Sequence, residues 1–203
     1  MTKIVNYGLG NVRAFMNVYE GLGIPVSMAS TPDELLSAKK LILPGVGAFD
    51  NAMERLEESG LRETLHHVVQ DERVPVLGVC VGMQMLARSS AEGTRPGLGW
   101  IDAEVKKFST SVKGSARRVP HMGWNDVRLT RPSTLFDGLE DARFYFLHSY
   151  FLEAHKAADV LALTDYGGEF ACGVSSGTVF GVQFHPEKSH QWGSRLLRNF
   201  AEF

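Results

Sequence analysis

Along its first half the chain alternates short apolar runs with amphipathic stretches, separated by breaks rich in glycine and proline. Residues 3–7 predict a strand that runs into Gly8-Leu9-Gly10-Asn11. Val12, Phe15, Met16, Tyr19 and Leu22 then recur at helical spacing, with Gly21 and Gly23 closing the helix. Residues 25–29 predict a second strand. Thr31-Pro32-Asp33-Glu34 carries a helix start, with a Thr N-cap, proline at the first helical position and early acids. Residues 40–43 predict a third strand, cut off by Pro44-Gly45-Val46-Gly47, and a helical pattern follows over residues 49–71, broken near Gly60. Residues 74–79 predict a fourth strand, too apolar for an exposed face, with Cys80 at its end. Strands and helices in alternation predict a parallel sheet covered on both faces.

From about Gly97 the pattern changes. Residues 101–108, 124–129, 143–147, 160–164, 170–175 and 179–184 predict strands with few helices between them. Gly167-Gly168 and Ser176-Gly177 stand where hairpin turns are needed. A last helix from about Ser189 places Trp192, Leu196, Leu197 and Phe200 on one side. The expected fold class is α/β: one domain over residues 1–203, with a mixed central sheet, helices on both faces and a β-rich second half.

Composition narrows the function classes. The chain has 203 residues, 44% of them hydrophobic, enough for a full core. With 21 basic and 23 acidic residues the formal charge is −2, which gives no electrostatic case for nucleic acid or an anionic membrane. Two cysteines, Cys80 and Cys172, exclude a disulfide-stapled scaffold and a multi-cysteine zinc site. No apolar run approaches the roughly 18 residues of a membrane span, and the first residues lack the features of a signal peptide. The expectation is a soluble cytoplasmic protein.

The most informative segment is Gly78-Val79-Cys80-Val81-Gly82, a nucleophile flanked by glycines between a buried strand and an apolar helix beginning near Met83. This is the pattern of a nucleophile elbow, where a strained turn presents the side chain and the glycines remove Cβ atoms that would clash. The Val81 amide, at the helix start, is suited to an oxyanion, and the same field favours a thiolate. A lone cysteine is more often buried core, but the elbow context favours the nucleophile.

A thiolate needs a base and a group to orient it. Of seven histidines, His66 and His67 lie in a charged helix, and His155 sits in a turn between Glu153-Ala154 and Lys156. His185 ends an apolar strand and is followed by Pro186-Glu187. If that strand is parallel to the one ending at Cys80, all three groups meet at the carboxyl edge of the sheet, where open α/β sheets bind ligands. The inferred roles are Cys80 attacking, His185 moving protons and Glu187 holding the imidazole. A strand-capping role for His185 remains open on pattern alone. A metal site from His185, Glu187 and His190 is weaker, since no further ligands cluster there. No metal and no cofactor are expected. The Pro44–Gly47 turn is the natural source of a second oxyanion amide, that of Val46.

Gly-Val-Cys80-Val-Gly-Met-Gln together with Phe-His185-Pro-Glu187 resembles the class I (triad) glutamine amidotransferases, and the flavodoxin-like fold follows from that resemblance. Leu43-Pro-Gly-Val-Gly-Ala-Phe-Asp50, Pro120-His-Met-Gly-Trp-Asn125, Tyr145-Phe-Leu-His-Ser-Tyr150 and Gly181-Val-Gln-Phe-His-Pro-Glu-Lys-Ser189 extend the likeness over essentially the whole chain. These motifs are similar to one branch of the family, whose members supply ammonia to a separate (β/α)₈-barrel cyclase subunit. The resemblance implies that Cys80 attacks the amide carbon of L-glutamine, giving a γ-glutamyl thioester and ammonia, and that water then releases glutamate. It further implies that Gln84, Glu92, Gly47 and the backbone of His148-Ser149-Tyr150 hold the substrate. Glu92 suits the α-ammonium and residues 148–150 the α-carboxylate. Asn11, Met122, Trp124, Asn125, Tyr145 and Lys188 resemble the contact with the cyclase, so a heterodimer is implied.

The basic run Lys106, Lys107, Lys113, Arg117 and Arg118 reads most simply as a solvated loop. Many relatives in the wider superfamily carry two adjacent glycines where this chain has Gly45-Val46-Gly47. With Val46 there, the expectation is a second oxyanion amide that faces away at rest and turns inward when the partner is occupied. The rival readings are a glutaminase serving another synthase, a hydrolase or protease built on the same elbow, and a catalytically dead binding subunit.

Overall fold

A computed structural model of the chain describes residues 1–112 and 115–203. Lys113 of the basic run lies outside the described residues. The first half runs β1 (Thr2–Val5), α1 (Val12–Leu22), β2 (Val26–Ala29), α2 (Pro32–Leu36), β3 (Lys40–Gly45), α3 (Phe49–Glu58), α4 (Arg62–His66), β4 (Val76–Cys80) and α5 (Val81–Met85). The long helical pattern is two helices, because Gly60 takes φ +70° and ends the first. The second runs into a wider π turn at His67–Asp71. Thr31 caps α2 as its sequence pattern predicts, receiving the Glu34 amide while the Glu34 carboxylate takes the Thr31 amide.

The second half supplies β5 (Ser89–Ser90), β6 (Ala103–Lys107), β7 (Ser111–Val112), β8 (Ser115–Ala116), β9 (His121–Asp126), β10 (Arg128–Leu129), β11 (Arg143–His148), β12 (Tyr150–Ala154), β13 (Val160–Asp165), β14 (Glu169–Ser176), β15 (Val179–Val182) and α6 (His190–Glu202). The second half departs from expectation in several places. The strand expected over residues 124–129 is β9 and β10, two separate strands. β12 had no clear signal, since its burial does not alternate. β15 stops at Val182, leaving Gln183, Phe184 and His185 beyond the ladder.

The main sheet has the order β2-β1-β3-β4-β15-β14-β12-β6-β5, with β13 joined to β14 and β10 to β13. The first five strands are all parallel. Their order, with β15 as the fifth strand, is the 2-1-3-4-5 arrangement of flavodoxin-like folds. With right-handed crossovers, stepping from β1 to β2 places α1 on one face, and stepping back through β3 to β4 places α2, α3 and α4 on the other. α1 packs on α6, and α3 packs on α5. Beyond β15 the ladder turns antiparallel, and both predicted glycine turns are present there. Gly177 (φ +59°) closes the β14–β15 hairpin, and Gly167 (φ +69°) the β13–β14 hairpin. β9 and β11 form a separate antiparallel ribbon.

Two register facts position the site. Gly45 of β3 lies opposite Cys80 of β4, and Gly181 of β15 lies opposite Gly78. The carboxyl ends of three adjacent parallel strands therefore open on the same side. One hydrophobic core runs beneath them, from Ile4 and Phe15 to Leu197 and Phe200.

Candidate active site

The elbow at Cys80 is strained in the way its sequence predicts. Cys80 takes φ +56° and ψ −112° and serves as the N-cap of α5, which begins at Val81, not near Met83. A Cβ at Gly78 would lie 2.6 Å from the Gly82 carbonyl oxygen, and one at Gly82 would overlap the Leu43 carbonyl. The turn between strand and helix closes only with hydrogen at both positions. The Val81 amide is the first of α5, one of the N–H groups a helix leaves without an internal acceptor.

His185 leaves β15 through Phe184, which stacks on Phe144 at 3.9 Å between ring centroids. Its own backbone is fixed by a 2.8 Å bond from its N–H to the Tyr145 carbonyl. The imidazole Nδ1 lies 2.8 Å from Glu187 Oε1, and both side chains are buried. Since a carboxylate only accepts, Nδ1 carries the proton and Nε2 is left to face Cys80. Burial alone would pull the imidazole pKa down. Hydrogen bonds to Cys80 and Glu187 and the charges of both groups outweigh it and raise the pKa to about 10. The pair therefore favours imidazolium beside the Cys80 sulfur. The thiol of Cys172, by contrast, is fully buried and pushed up by desolvation, so it is chemically quiet.

Cys80 and His185 face a cavity of about 330 Å³, lined also by Val46, Gly47, Gln84, Glu92 and His148. Of the expected substrate residues Gly47, Gln84, Glu92, His148, Ser149 and Tyr150, all border it, as do Val81, Lys188 and His185. Gln84 is buried and spends its amide hydrogens inside the protein, on the Tyr150 carbonyl at 3.0 Å and Gln183 Oε1 at 3.1 Å. Its Oε1 is thus the atom with which it can meet a ligand. Glu92 receives the Phe49 amide at 2.8 Å, standing in for a cap that Ala48 cannot provide to α3. Its second carboxylate oxygen is left to face a cation.

The loop after β3 is held from below. Tyr7 donates its hydroxyl to the Pro44 carbonyl at 2.7 Å, and a Cβ at Gly10 would lie 2.7 Å from Pro44 Cβ. Burial and the nearby Cys80 charge both raise the Tyr7 pKa, so this donor keeps its proton. Val46 itself is exposed and Gly47 takes φ +80°.

The expected contact residues divide between two faces. Met122 pairs with Leu147 and Trp124 with Tyr145 across the β9–β11 ribbon, so these four share a face. Met122, Trp124, Leu147 and Val46 are among the few large apolar side chains exposed on the molecule. Trp124 stacks on His190 at 5.4 Å, and Lys188 lies over the Tyr145 ring at 6.0 Å. Asn11 is exposed, capping α1 through its bond from the Ala14 amide. Asn125 stands apart from these. It points to the opposite face of the ribbon, where its amide reaches the Asp165 carbonyl at 2.8 Å and His121 Nε2 at 3.3 Å.

Among the described residues, part of the basic run is built into the fold and is not free loop. Lys106 and Lys107 belong to β6, Lys106 pairs with Glu104, and Lys107 lies over the Tyr150 ring. Arg117 lies over the Phe108 and Tyr166 rings at 5.1 and 5.9 Å and donates to the Gly167 carbonyl. Sequence reasoning also passed over Gln183, fully buried, whose Nε2 lies 3.8 Å from the Cys80 sulfur. A polar residue inside an apolar strand run was its only signal. Among the described residues no group of histidine, cysteine or carboxylate side chains is arranged to hold a metal ion.

A family model described as glutamine amidotransferase class-I matches residues 4–202. The imidazole glycerol phosphate synthase subunit HisH of Bdellovibrio bacteriovorus is 59% identical over 205 residues, covering all of both chains. Its counterpart in Leptospira interrogans is 52% identical over 202 residues, covering 99% of each. A crystal structure of a glutamine amidotransferase superposes with a TM-score of 0.77 at 22% identity, covering 99% of this chain and 97% of its own. The structure of PurLQS from Thermotoga maritima gives 0.73 at 21%, covering 99% and 97%. At such identities these two structures speak for the fold alone.

Proposed function

The chain belongs to the class-I glutamine amidotransferases, enzymes with glutamine amidotransferase activity, and we propose that it is the glutaminase subunit of an imidazole glycerol phosphate synthase working through Cys80, His185 and Glu187. The observation that carries this reading is that Cys80 and His185 face one cavity at the carboxyl edge of β4 and β15, with Glu187 buried 2.8 Å behind the imidazole. Residues 1–203 act as one glutaminase domain of a cytoplasmic enzyme. Among the described residues no helix is long and apolar enough to cross a membrane.

In this mechanism the Cys80 sulfur attacks the side-chain amide carbon of L-glutamine. The carbonyl oxygen becomes an oxyanion, held by the Val81 amide and by the Val46 amide once the Pro44–Gly47 loop presents it. His185 gives its Nε2 proton to the departing nitrogen, and ammonia leaves as the C–N bond breaks. The γ-glutamyl thioester is then attacked by water, whose proton His185 takes. Glutamate departs and the thiolate is restored. Glu187 stays ionised throughout and keeps Nδ1–H directed at itself, so Nε2 always faces the sulfur. Glu92 receives the substrate's ammonium, Gln84 Oε1 meets a donor of the substrate, and residues 148–150 take its carboxylate.

Ammonia is useful only if it reaches its acceptor unprotonated. The exposed apolar face of Met122, Trp124, Leu147 and Val46 borders the site and suits a partner that seals it. That partner is a (β/α)₈-barrel cyclase, which joins ammonia to its own substrate to form imidazole glycerol phosphate and aminoimidazole carboxamide ribotide in L-histidine biosynthesis.

The test is glutamate release by the chain alone, with the cyclase, and with the cyclase and its substrate. Release that rises steeply on assembly supports the reading. Equal release from the isolated chain would remove the coupling, and release from no combination would remove the glutaminase.

A further inference from the structure

Two buried histidine rings stand beside the cavity, and neither side chain has a part in the chemistry above. His148 lines it, while His121 lies behind it on β9, directly opposite His148 in the β9–β11 register. Their hydrogen bonds admit one assignment. His148 Nδ1 lies 2.7 Å from the Tyr150 carbonyl, an acceptor only, so Nδ1 carries the proton. Desolvation lowers the His148 pKa to about 3, so the ring is neutral and Nε2 must accept. His121 Nδ1, 3.0 Å from His148 Nε2, is therefore the donor. Burial, with Arg117 nearby, lowers the His121 pKa to about 4, so that ring is neutral too and its Nε2 accepts from the Asn125 amide. The Asn125 amide is itself fixed, with Nδ2 on the Asp165 carbonyl and Oδ1 receiving the Asp126 amide.

The chain of donors thus runs one way, from Asn125 through His121 and His148 to the Tyr150 carbonyl. There it meets a second donor, Gln84 Nε2, which also touches Gln183, the neighbour of the Cys80 sulfur. The His121 ring is clamped between Phe146 and Tyr166, with centroids at 4.6 and 4.1 Å and planes tilted by 23° and 24°. Neither a rotamer change nor a ring flip is open to it without breaking the stack.

We propose that His121 is a positioning residue for glutamine: its Nδ1–H fixes the tautomer of His148, which in turn holds the Ser149–Tyr150 segment in the orientation that receives the substrate's α-carboxylate. The inference rests on the glutaminase reading, and it gives a task to a side chain of the Pro120–Asn125 motif that lies off the exposed Met122–Trp124 face. Without that donor, His148 Nε2 is a buried acceptor with no partner. The ring then gains by moving its proton to Nε2 or rotating, and either leaves the Tyr150 carbonyl held by Gln84 alone of its two side-chain donors.

Two substitutions separate the donor from the ring. His121→Phe keeps an aromatic ring between Phe146 and Tyr166 and deletes the donor. His121→Asn deletes the stack and keeps a donor at the position of Nδ1. In the assembled synthase, His121→Phe raises the glutamine KM about tenfold, the weight of one buried hydrogen bond, with kcat changed less than about threefold. His121→Asn recovers part of that loss, which a role in packing alone would not allow. Nitrogen NMR of histidine-labelled full-length protein shows His148 as the pure Nδ1–H tautomer in the parent and as a mixture in His121→Phe. An unchanged KM in His121→Phe, a larger rise in His121→Asn than in His121→Phe, or an Nε2–H tautomer of His148 in the parent would each overturn the proposal. A parent synthase that turns over no glutamine overturns the glutaminase reading instead, and the unsubstituted control identifies that case.

Discussion

The strain at Cys80 predicts an inverted stability order between alanine and glycine. At φ +56° and ψ −112° a Cβ atom is held in a region that residues other than glycine rarely enter, at a cost of about 1–3 kcal/mol. Cys80→Ala removes the sulfur and keeps the Cβ, so it keeps the strain. Cys80→Gly removes both, and loses about 0.4–1 kcal/mol through the greater freedom of the unfolded chain. The difference leaves the glycine variant more stable by about 0.5–2 kcal/mol. For a chain of this length each kcal/mol moves Tm by about 2–4 °C, so the expected gap is a few degrees. The contacts of the sulfur, its 4.0 Å approach to the Leu147 carbonyl and 3.8 Å to Gln183, vanish equally in both variants. The comparison therefore isolates the backbone.

The assay is urea unfolding and calorimetry on the two variants, with Arg55→Ala and Arg55→Gly as the reference pair. Arg55 lies within α3 and pairs only with Glu58 at the surface, and there alanine should exceed glycine by about 1 kcal/mol. Opposite signs at positions 80 and 55 are the prediction. If Cys80→Ala proves as stable as Cys80→Gly, the elbow stores no strain and its geometry has another cause.

Cys80→Ser in the assembled synthase lowers glutamine-dependent synthesis by at least about a thousandfold and leaves synthesis from added ammonia unchanged; loss of both would mean that Cys80 supports the fold or the partner contact. Trp124→Ala weakens association with the cyclase by about thirtyfold in titration calorimetry, the effect of a central aromatic anchor, whereas an unchanged Kd would remove this face from the interface. Stability falls with acid between pH 6.5 and about 4, because the unfolded chain protonates both histidines near 6.5 while folded His148 and His121 resist to about 3 and about 4. From pH 6.5 to 4.5 His148 accounts for on the order of 2–3 kcal/mol of that loss and His121 for less, and His121→Phe should flatten the slope measured by urea unfolding at several pH values; an identical slope in the variant would refute the assignment.

Much of this site could be read from sequence because its determinants are local. Two glycines, a cysteine between them and a preceding apolar run are enough to specify a turn that only those residues can close. Proline after His185 likewise ends a strand without help from distant residues. The parallel half of the sheet follows from alternation and the right-handed crossover. What escaped was set by pairing across the chain. β12 shows no alternation because Leu152 is wedged between β6 and β14, while its neighbours face mixed surroundings. Asn125 lies one residue from Trp124 on a strand, and nothing local says which of the two faces outward. Arg117 looks like part of a charged run until Phe108 and Tyr166 are brought beneath it from 9 residues before and 49 after.

Residues 185–189 show why the catalytic turn and the outward ribbon cannot move independently. The His185 amide donates to the Tyr145 carbonyl at 2.8 Å, and the Tyr145 amide donates to Ser189 Oγ at 3.0 Å. That hydroxyl donates in turn to the His185 carbonyl at 2.6 Å, and Ser189 is fully buried. Three hydrogen bonds so arranged form a closed ring between β11 and the turn that carries His185 and Glu187. Displacing Tyr145 by an ångström strains all three or drags His185 with it, because a buried donor left unpaired costs about 1–3 kcal/mol. Tyr145 lies under Lys188 and against Trp124, side chains of the face proposed to receive a partner. A displacement of that face would therefore reach His185 through a single strand, whereas Cys80 hangs from β4 and is held separately by Gly78 and Gly82. Cys80 is fixed by its own turn and His185 by the ribbon, so a shift of the ribbon would change the distance between them.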